Sequence, residues 1–556
     1  MKIQNLITNT LILLLIFSCK LDNSDVFEEE NPLSKCVDGH AMVVVDDVEY
    51  EYDCKNYDLV GFISLEEMDA ESGNDCWGWT DPLTKKEYAL MGLDNGTAII
   101  DISTPTNPNY LGKIPTETVP SSWRDLKTFE NHVFIVSEAE NHGMQVYDLE
   151  QLRVINDIKN LTPSFVYSNH GSAHNIAINT QTGYAYIAGI GSSRNPVGIY
   201  ALNVKNPIDP KLVLEYPDFG YSHDAQIVNY NGPDTDHFGK EIYVGSNENK
   251  VVFVDVTDKS SPILISEFFY NHQYTHQSWL TEDHSFALVG DELDELDLTS
   301  NPIVLKENVK TRTLVIDIRD LDNPILYFNY NSDTKAIDHN GYVHDSKFYL
   351  ASYTSGLRVI DISNIQQKNI FEVGYFDTHI GDSHSHDMKV DFSNRQSDPG
   401  EHDGKKGQEI EAFNGAWSVY PFFKSENVII SDINSGLFIV KQQTFAIIER
   451  FGRFIAIRKP GLHIKIPLID KIAGRLSLKI LQLDVIVETK TKDDVFVKLK
   501  LSVQYRVLPD KAYDAFYKLD FPQDQITSYV FDVIRAEVPK MKLDDVFEKK
   551  DDIANA

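Results

Sequence analysis

Four histidines recur at one place in a repeating pattern, each followed by an amide or carboxylate residue. They are AHN around His174, SHD around His223, THQ around His276 and DHN around His339. WRD puts Arg124 at the same place, and WGW (Trp77–Trp79) and AWS (Ala416–Ser418) are two further copies. Asp125 and Asp224 follow Arg124 and His223 directly. A second set of strings, SEAE, SNEN, GDELDE and SDIN, supplies carboxylates, among them Glu138, Glu248 and Asp291. Neutral imidazoles mixed with carboxylates suit a divalent cation, and zinc, manganese or iron better than calcium, which prefers oxygen alone. A metal-dependent hydrolase or lyase, with the ion lowering the pKa of a bound water, is the catalytic alternative. The same residues could instead bond to neighbouring backbone and fix strand packing. No nucleophile elbow, Walker sequence, dinucleotide fingerprint, HExxH or CxxC pair accompanies them, so no catalytic residue is assigned.

What must bring these residues together is a longer repeat. GTAIIDISTPTNPNYLG, GMQVYDLEQL, VGIYALNVKNPIDPKLV, KVVFVDVTDKSSPILIS, TRTLVIDIRDLDNPILY, SGLRVIDISNI and SGLFIVKQQ share an alternating apolar strand. It ends at Asp101, Asp148, Asn203, Asp255, Asp317, Asp361 and Lys441, at intervals of 47, 55, 52, 62, 44 and 80 residues. Two more strand-like runs precede each phrase, so each unit holds about four short strands, the period of a propeller blade. The fold class is therefore mainly β, with a seven-bladed β-propeller over residues 35–440. The last unit lacks its outer strand, and LVGFISLEE, residues 59–67, resembles the outer strands elsewhere. It is expected to complete the seventh blade and leave no free edge. First strands line a propeller's channel and second strands return antiparallel to the same face, so imidazoles and carboxylates converge at one mouth.

The repeat resembles the LVIVD repeat. The strings CWGWTDP, SSWRDLKTFENHVFIVSEAENHGMQVYDL, YTHQSWLTED, GDELDE and FNGAWSVYPF resemble the choice-of-anchor B family of exported bacterial proteins. That resemblance implies a surface propeller acting as a ligand- or partner-binding module, without specifying a reaction.

The N-terminus agrees with export. A lysine, an apolar run and a small residue before Cys19 have the shape of a signal peptide over residues 1–18. IFSC resembles a bacterial lipobox, which implies lipidation of Cys19 and a polar tether over residues 19–34. The expected location is the bacterial outer membrane or cell surface, with the membrane as partner through the lipid and an unidentified surface ligand or protein besides. Cys36 and Cys54 flank a short strand-like run, and in an exported chain a disulfide between them is expected. Cys76 reads as a buried small apolar residue. Formal charge is -33, with 30 Lys+Arg against 67 Asp+Glu before Lys441 and 21 against 17 from there on. The acidic part would repel phosphates, which argues against nucleic acid as a partner. A long insertion before the seventh unit carries His384, His386 and Asp387, a second metal set or an exposed polar loop. DELDELD, residues 291–297, could likewise hold calcium.

From about Phe438 the chain resembles the SPFH or band 7 family (stomatin, prohibitin, flotillin) in VKQQTFAIIERFGRF, KPGLHIKIPLIDKI, QLDVIVETKTKDDVFVKLKLSVQYRV and ITSYVFDVIRAEVPKMKLDDVFEKKDDIANA. Two alternating runs around TKDD predict a hairpin, and DKAYDAFYK and ITSYVFDVIRAEV predict helices. Residues 441–556 thus read as a small, incomplete α+β module. The resemblance implies membrane scaffolds that form rings, but the segment ends before the family's long coiled coil, so it does not imply SPFH oligomerisation. The two resemblances overlap on FIVK with no Gly, Pro or Ser linker, as in a truncated gene fused within a shared phrase or an erroneous gene model.

Overall fold

In the strand EYALMGL, Glu87–Leu93, every residue is buried. Side chains alternate between the two faces of a sheet, so such a strand needs apolar neighbours on both. A computed structural model supplies them; it describes residues 32–45, 48–155, 159–192, 195–300, 303–380, 411–458, 469–477, 480–507, 511–518, 522–543 and 546. Cys19, His384, His386 and Asp387 lie outside these residues.

Seven sheets follow one another along the chain, antiparallel except where the short strand Lys159–Asn160 pairs parallel with Asn109–Pro115. Blades 1 to 7 begin with the strands Gly73–Thr80, Arg124–Phe129, Asn175–Asn179, Asp224–Asn229, Thr275–Leu280, Gly341–His344 and Ala416–Tyr420. Each successive pair of blades shares one apolar core. Leu90 and Ile99 of blade 1 meet Leu126 and Ile135 of blade 2, whereas their neighbours Met91 and Ile100 meet Ile429 and Ile439 of blade 7. Val136 and Val146 pack on Ile176 and Ile187 between blades 2 and 3. Tyr186 and Ala201 pack on Tyr243 and Val254 between blades 3 and 4. Val244 and Phe253 pack on Val289 and Ile316 between blades 4 and 5. Leu288 and Val315 pack on Leu350 and Ile360 between blades 5 and 6. Tyr349 and Val359 pack on Ile430 and Val440 between blades 6 and 7. Seven interfaces for seven blades close the ring.

The outer strand of blade 7 comes from the other end of the propeller. Tyr57–Ser64 pairs antiparallel with Gly436–Gln442, from Tyr57 opposite Gln442 to Ser64 opposite Gly436. Just before it, the hairpin His40–Val45/Val48–Lys55 joins the outer strand of blade 6, with Cys54 opposite Phe376. A Cys36–Cys54 disulfide ties the segment down, and Cys76 is a buried free thiol. Phe438 anchors the closure: it is fully buried and its ring meets Phe62 at 4.7 Å, Tyr52 at 5.4 Å and Phe376 at 6.2 Å.

Past blade 7, Gly436–Gln442 runs into the strand Thr444–Arg450 with Gln443 alone between them. The Gln443 side-chain amide donates to Cys36 O (2.9 Å) and Asp58 Oδ1 (2.6 Å). Thr444–Arg450 is the middle of a three-stranded sheet with Arg453–Arg458 and Asp470–Ser477. The hairpin Ile480–Lys490/Phe496–Arg506 and the helices Ala512–Tyr517 and Pro522–Glu537 follow. Val485 and Val487 pack there on Ile534 and Val538. Among the described residues no helix is long and apolar enough to cross a membrane.

Phe438→Ala should cost about 3–5 kcal/mol, the usual range for truncating a buried aromatic. Chemical denaturation of the full chain measures it, and a cost below about 1 kcal/mol would mean that the N-terminal strand does not share the blade 7 core.

Candidate metal centre at the channel mouth

Because each first strand starts at the channel, the blade-start residues of consecutive blades meet. The rings of His174 and His223 are 3.9 Å apart, those of His223 and His276 4.6 Å, those of His276 and His339 4.2 Å, and those of His339 and Trp417 4.7 Å. His223, His276 and His339 are buried, and Arg124 lies at the corresponding position of blade 2. Arg124, His174, His276, His339, Trp123 and Trp417 line a cavity of about 20 Å³, the room of roughly one water or one small ion.

The ring is not uniform. The Nδ1 of His174 lies 2.5 Å from Glu138 Oε1, so this pair satisfies itself. His223 Nδ1 donates to the His276 carbonyl (3.3 Å). His339 Nδ1 donates to the Trp417 carbonyl at 2.6 Å, which fixes its proton on Nδ1 and leaves the Nε2 lone pair for a ligand. Burial pushes the His339 imidazole down to about 4, outweighing Glu292, so it is neutral. Its Nε2 faces Glu292 Oε1 at 3.8 Å. His276, Glu292 and His339 are all buried, and each offers one ligand atom within 4.8 Å of the other two. The Tyr353 hydroxyl donates to Glu292 Oε1 at 3.0 Å and orients the carboxylate. Two imidazoles and one carboxylate are a donor set for zinc or a similar divalent ion with an open position.

Glu292 was not singled out by the sequence, which points to Asp291. The strand Phe286–Asp291 ends there, and the Asp291 carboxylate turns back to accept from the amides of Gln273 (2.8 Å) and Tyr274 (2.7 Å). The turn that follows sends the next carboxylate into the mouth. The Glu248 carboxylate accepts from the Tyr274 hydroxyl (3.3 Å).

More acids surround the triad. Asp291, Glu292, Glu295 and Asp338 are each at most 2 % exposed, and Arg312 pairs with Asp294. Neither Asp338 oxygen has a hydrogen-bond partner among the described residues. A Cβ at Gly290 would lie 2.9 Å from Asp338 Oδ2, so glycine there makes room for the carboxylate. Burial, then the charges of Asp294, Asp291 and Glu292, hold Asp338 well above the usual carboxylate range. A bound cation would relieve this cost by favouring the ionised carboxylates.

Asp125 and Asp224 belong to a polar layer one residue further along the strands. Lys127 Nζ donates to Asp75 Oδ2 (3.0 Å) and Asp125 Oδ1 (2.5 Å). Asp125 Oδ2 accepts from Asn175 Nδ2 (2.5 Å) and the Ile176 amide (2.9 Å), and Asn175 reaches Asp224 Oδ2 at 3.0 Å. Asn340 donates to Asp75 Oδ1 at 3.3 Å. Burial opposes ionisation of Asp75, but the Lys127 charge outweighs it and holds the carboxyl low. Burial pushes Asp125 up against the pull of Lys127, with Asp75 adding to the rise. Lys127 shares the strand face of Asp125 two residues earlier, the signal that could have marked it. In blade 1 the layer is filled by Asp75, so the equivalent of Arg124 is Asn74 and not the Gly78 of WGW. A bulge between Gly73 and Cys76 shifts the register, and Trp77 instead lies under Lys127 at 4.6 Å.

Asp224 gives a pH test. Burial pushes its carboxyl up to about 7, only partly relieved by Lys127. Between the ordinary carboxylate range near 4 and pH 7 the unfolded chain has released this proton while the folded one keeps it, so unfolding free energy falls as pH rises through that window and levels off above it. The fall is on the order of 4 kcal/mol. Asp224→Asn should reduce the fall in stability between pH 4 and 7, read by urea titration at each pH; an unchanged slope would place the titration elsewhere.

Two known families match this chain in separate parts. The LVIVD repeat matches residues 85–116 and 238–269, the second to fourth strands of blades 1 and 4, and the SPFH domain / Band 7 family matches residues 438–556. The chain thus carries LVIVD repeats and a C-terminal SPFH/band 7 segment. It is 51% identical over 118 residues to hypersensitive-induced response protein 4 of Arabidopsis thaliana, which covers 21% of this chain and 40% of that protein. It is 31% identical over 121 residues to mitochondrial stomatin-like protein 2 of Rattus norvegicus, covering 22% and 34%. The chain therefore spans two-fifths or less of the length of these relatives. Among solved structures it is similar to hydrazine synthase of Kuenenia stuttgartiensis (TM-score 0.41, 11% identity, 63% of this chain and 91% of that one). It is also similar to the Cps50 (Swd1) β-propeller domain of Myceliophteria thermophila (TM-score 0.38, 8% identity, 64% and 93%).

Proposed function

We propose that the propeller is an exported, lipid-anchored binding module that holds a divalent cation at its channel mouth on His276, Glu292 and His339, and presents the ion to a surface ligand or protein. The observation that carries this reading is the convergence of those three buried ligand atoms within 4.8 Å. The neutral state of His339 and the buried acids around it add to it. A bound ion would complete its coordination from the mouth, where a ligand atom could replace water.

The purified chain should contain about one zinc, manganese or iron per molecule by elemental analysis. A chelator should lower its melting temperature; an ion present at a hundredfold excess over its dissociation constant stabilises by about 2.7 kcal/mol. Glu292→Gln and His339→Ala should each lose the metal, while Glu248→Gln keeps it. Metal-free wild type whose melting is indifferent to chelator would remove the cation from this reading.

Lipid anchoring rests on the lipobox-like IFSC before Cys19. In a bacterial host Cys19→Ala should move the chain from the membrane fraction to the soluble one, seen by fractionation. Retention of the variant in the membrane would favour the second reading, a membrane scaffold through residues 438–556, which rests on the 51% identity there.

A further inference from the structure

Arg124 is the unusual charge of this channel. It is 1 % exposed. Lys127 and Arg358, also buried, each reach a carboxylate, but among the described residues no carboxylate lies within ion-pair distance of Arg124. Its Nε donates to the Leu93 carbonyl (3.1 Å) and its Nη1 to His142 Nε2 (2.9 Å). His142 Nδ1 donates to the Gly143 carbonyl (2.9 Å), so its Nε2 is an acceptor and the ring carries no compensating charge. Burial, then Arg124, pushes His142 down to about 4. The acid whose charge acts on Arg124 is Asp94, and its Oδ1 already accepts from the Glu71 and Ser72 amides. Nη2 is buried with no partner among the described residues. A buried guanidinium paired only with neutral groups is unfavourable unless something supplies the counter-charge.

The cavity beside it can supply that something. Arg124 lines it with His174, Trp123 and Trp417. Asp75, Asp125 and Asp224 line it too, but Lys127, Asn175 and the Ile176 amide already take them up. We propose that Arg124 seats a small monovalent anion, a halide or one oxygen of a formate-sized carboxylate, which accepts from Nη2 inside the channel. A single donor group selects against phosphate-sized dianions. His276 and His339 line the same cavity, so an anion at Arg124 would neighbour the cation, and the anion site is tested without that cation.

The test uses the full chain, stripped with EDTA so that the cation reading is not at stake, in gluconate at constant ionic strength. Bromide quenches tryptophan fluorescence, and Trp123 and Trp417 flank the site. Wild type should show a saturable quenching component. Chloride or formate should compete it away, and competition by one or the other tells halide from carboxylate. Inorganic phosphate should not compete. Saturating chloride should raise the melting temperature by about 2–4 °C over gluconate. Arg124→Gln should lose the saturable component and the chloride shift, and Arg124→Lys should recover part of both. Strictly linear quenching in folded wild type, or a saturable component that survives in Arg124→Gln, would overturn the proposal. Should Arg124→Gln fail to fold, the wild-type competition decides alone.

Discussion

Each blade of this molecule is apolar on both faces, and that constraint organises everything else. A sheet with one wet face can end a structure; a sheet with none needs a neighbour on each side. Met91 and Ile100 cannot leave water without blade 7, any more than Leu90 and Ile99 can without blade 2. Fully burying one such side chain contributes about 1.5–3 kcal/mol, so an open arc would expose a costly surface at each end. Closure into a ring is the solution, and it aims the start of every first strand at one axis. The site is a by-product of packing: residues scattered from Arg124 to Trp417 become neighbours because the faces behind them must be covered.

Closure also crowds polar groups into an interior without bulk water, and the two layers at the axis deal with this differently. In the layer of Asp75, Asp125, Asn175 and Asp224, Lys127 and two amides bind blade to blade, so the layer serves as a fastening. At the mouth the balance is not met internally. Blades 5 and 6 concentrate acids around Glu292 and Asp338, while blade 2 carries a guanidinium facing neutral partners. Unmatched charge of opposite sign at two places in one small channel is costly for stability alone and sensible for binding.

How legible this was in the sequence depends on how each residue is positioned. The four histidines were readable because they ride on the repeat: equal places in equal units meet wherever the units close, and Trp417 and Arg124 followed by the same logic. The N-terminal outer strand was readable from likeness to its fellows. Glu292 was not, since its position is set by a turn after the last strand residue, where alternation stops predicting direction. Asn74 and Asp75 were hidden by a bulge that slides WGW out of the expected register. The exceptional state of Arg124 was invisible, because a lone charge is defined by what fails to accompany it, and the groups that might have done so, Asp94 and His142, come from other blades and loops.

The strand borrowed by blade 7 has a consequence for synthesis. Tyr57–Ser64 leaves the ribosome early, yet its partner Gly436–Gln442 is nearly the last part of the propeller to be made. Until then it is an unsatisfied β-edge in a long nascent chain, the kind of segment that sticks to other molecules. The disulfide between Cys36 and Cys54 constrains the stretch just before it and can form without the rest of the ring. For an exported chain that would be an early covalent clamp, restricting a waiting strand whose final contacts are the most distant in sequence and so the slowest to be found.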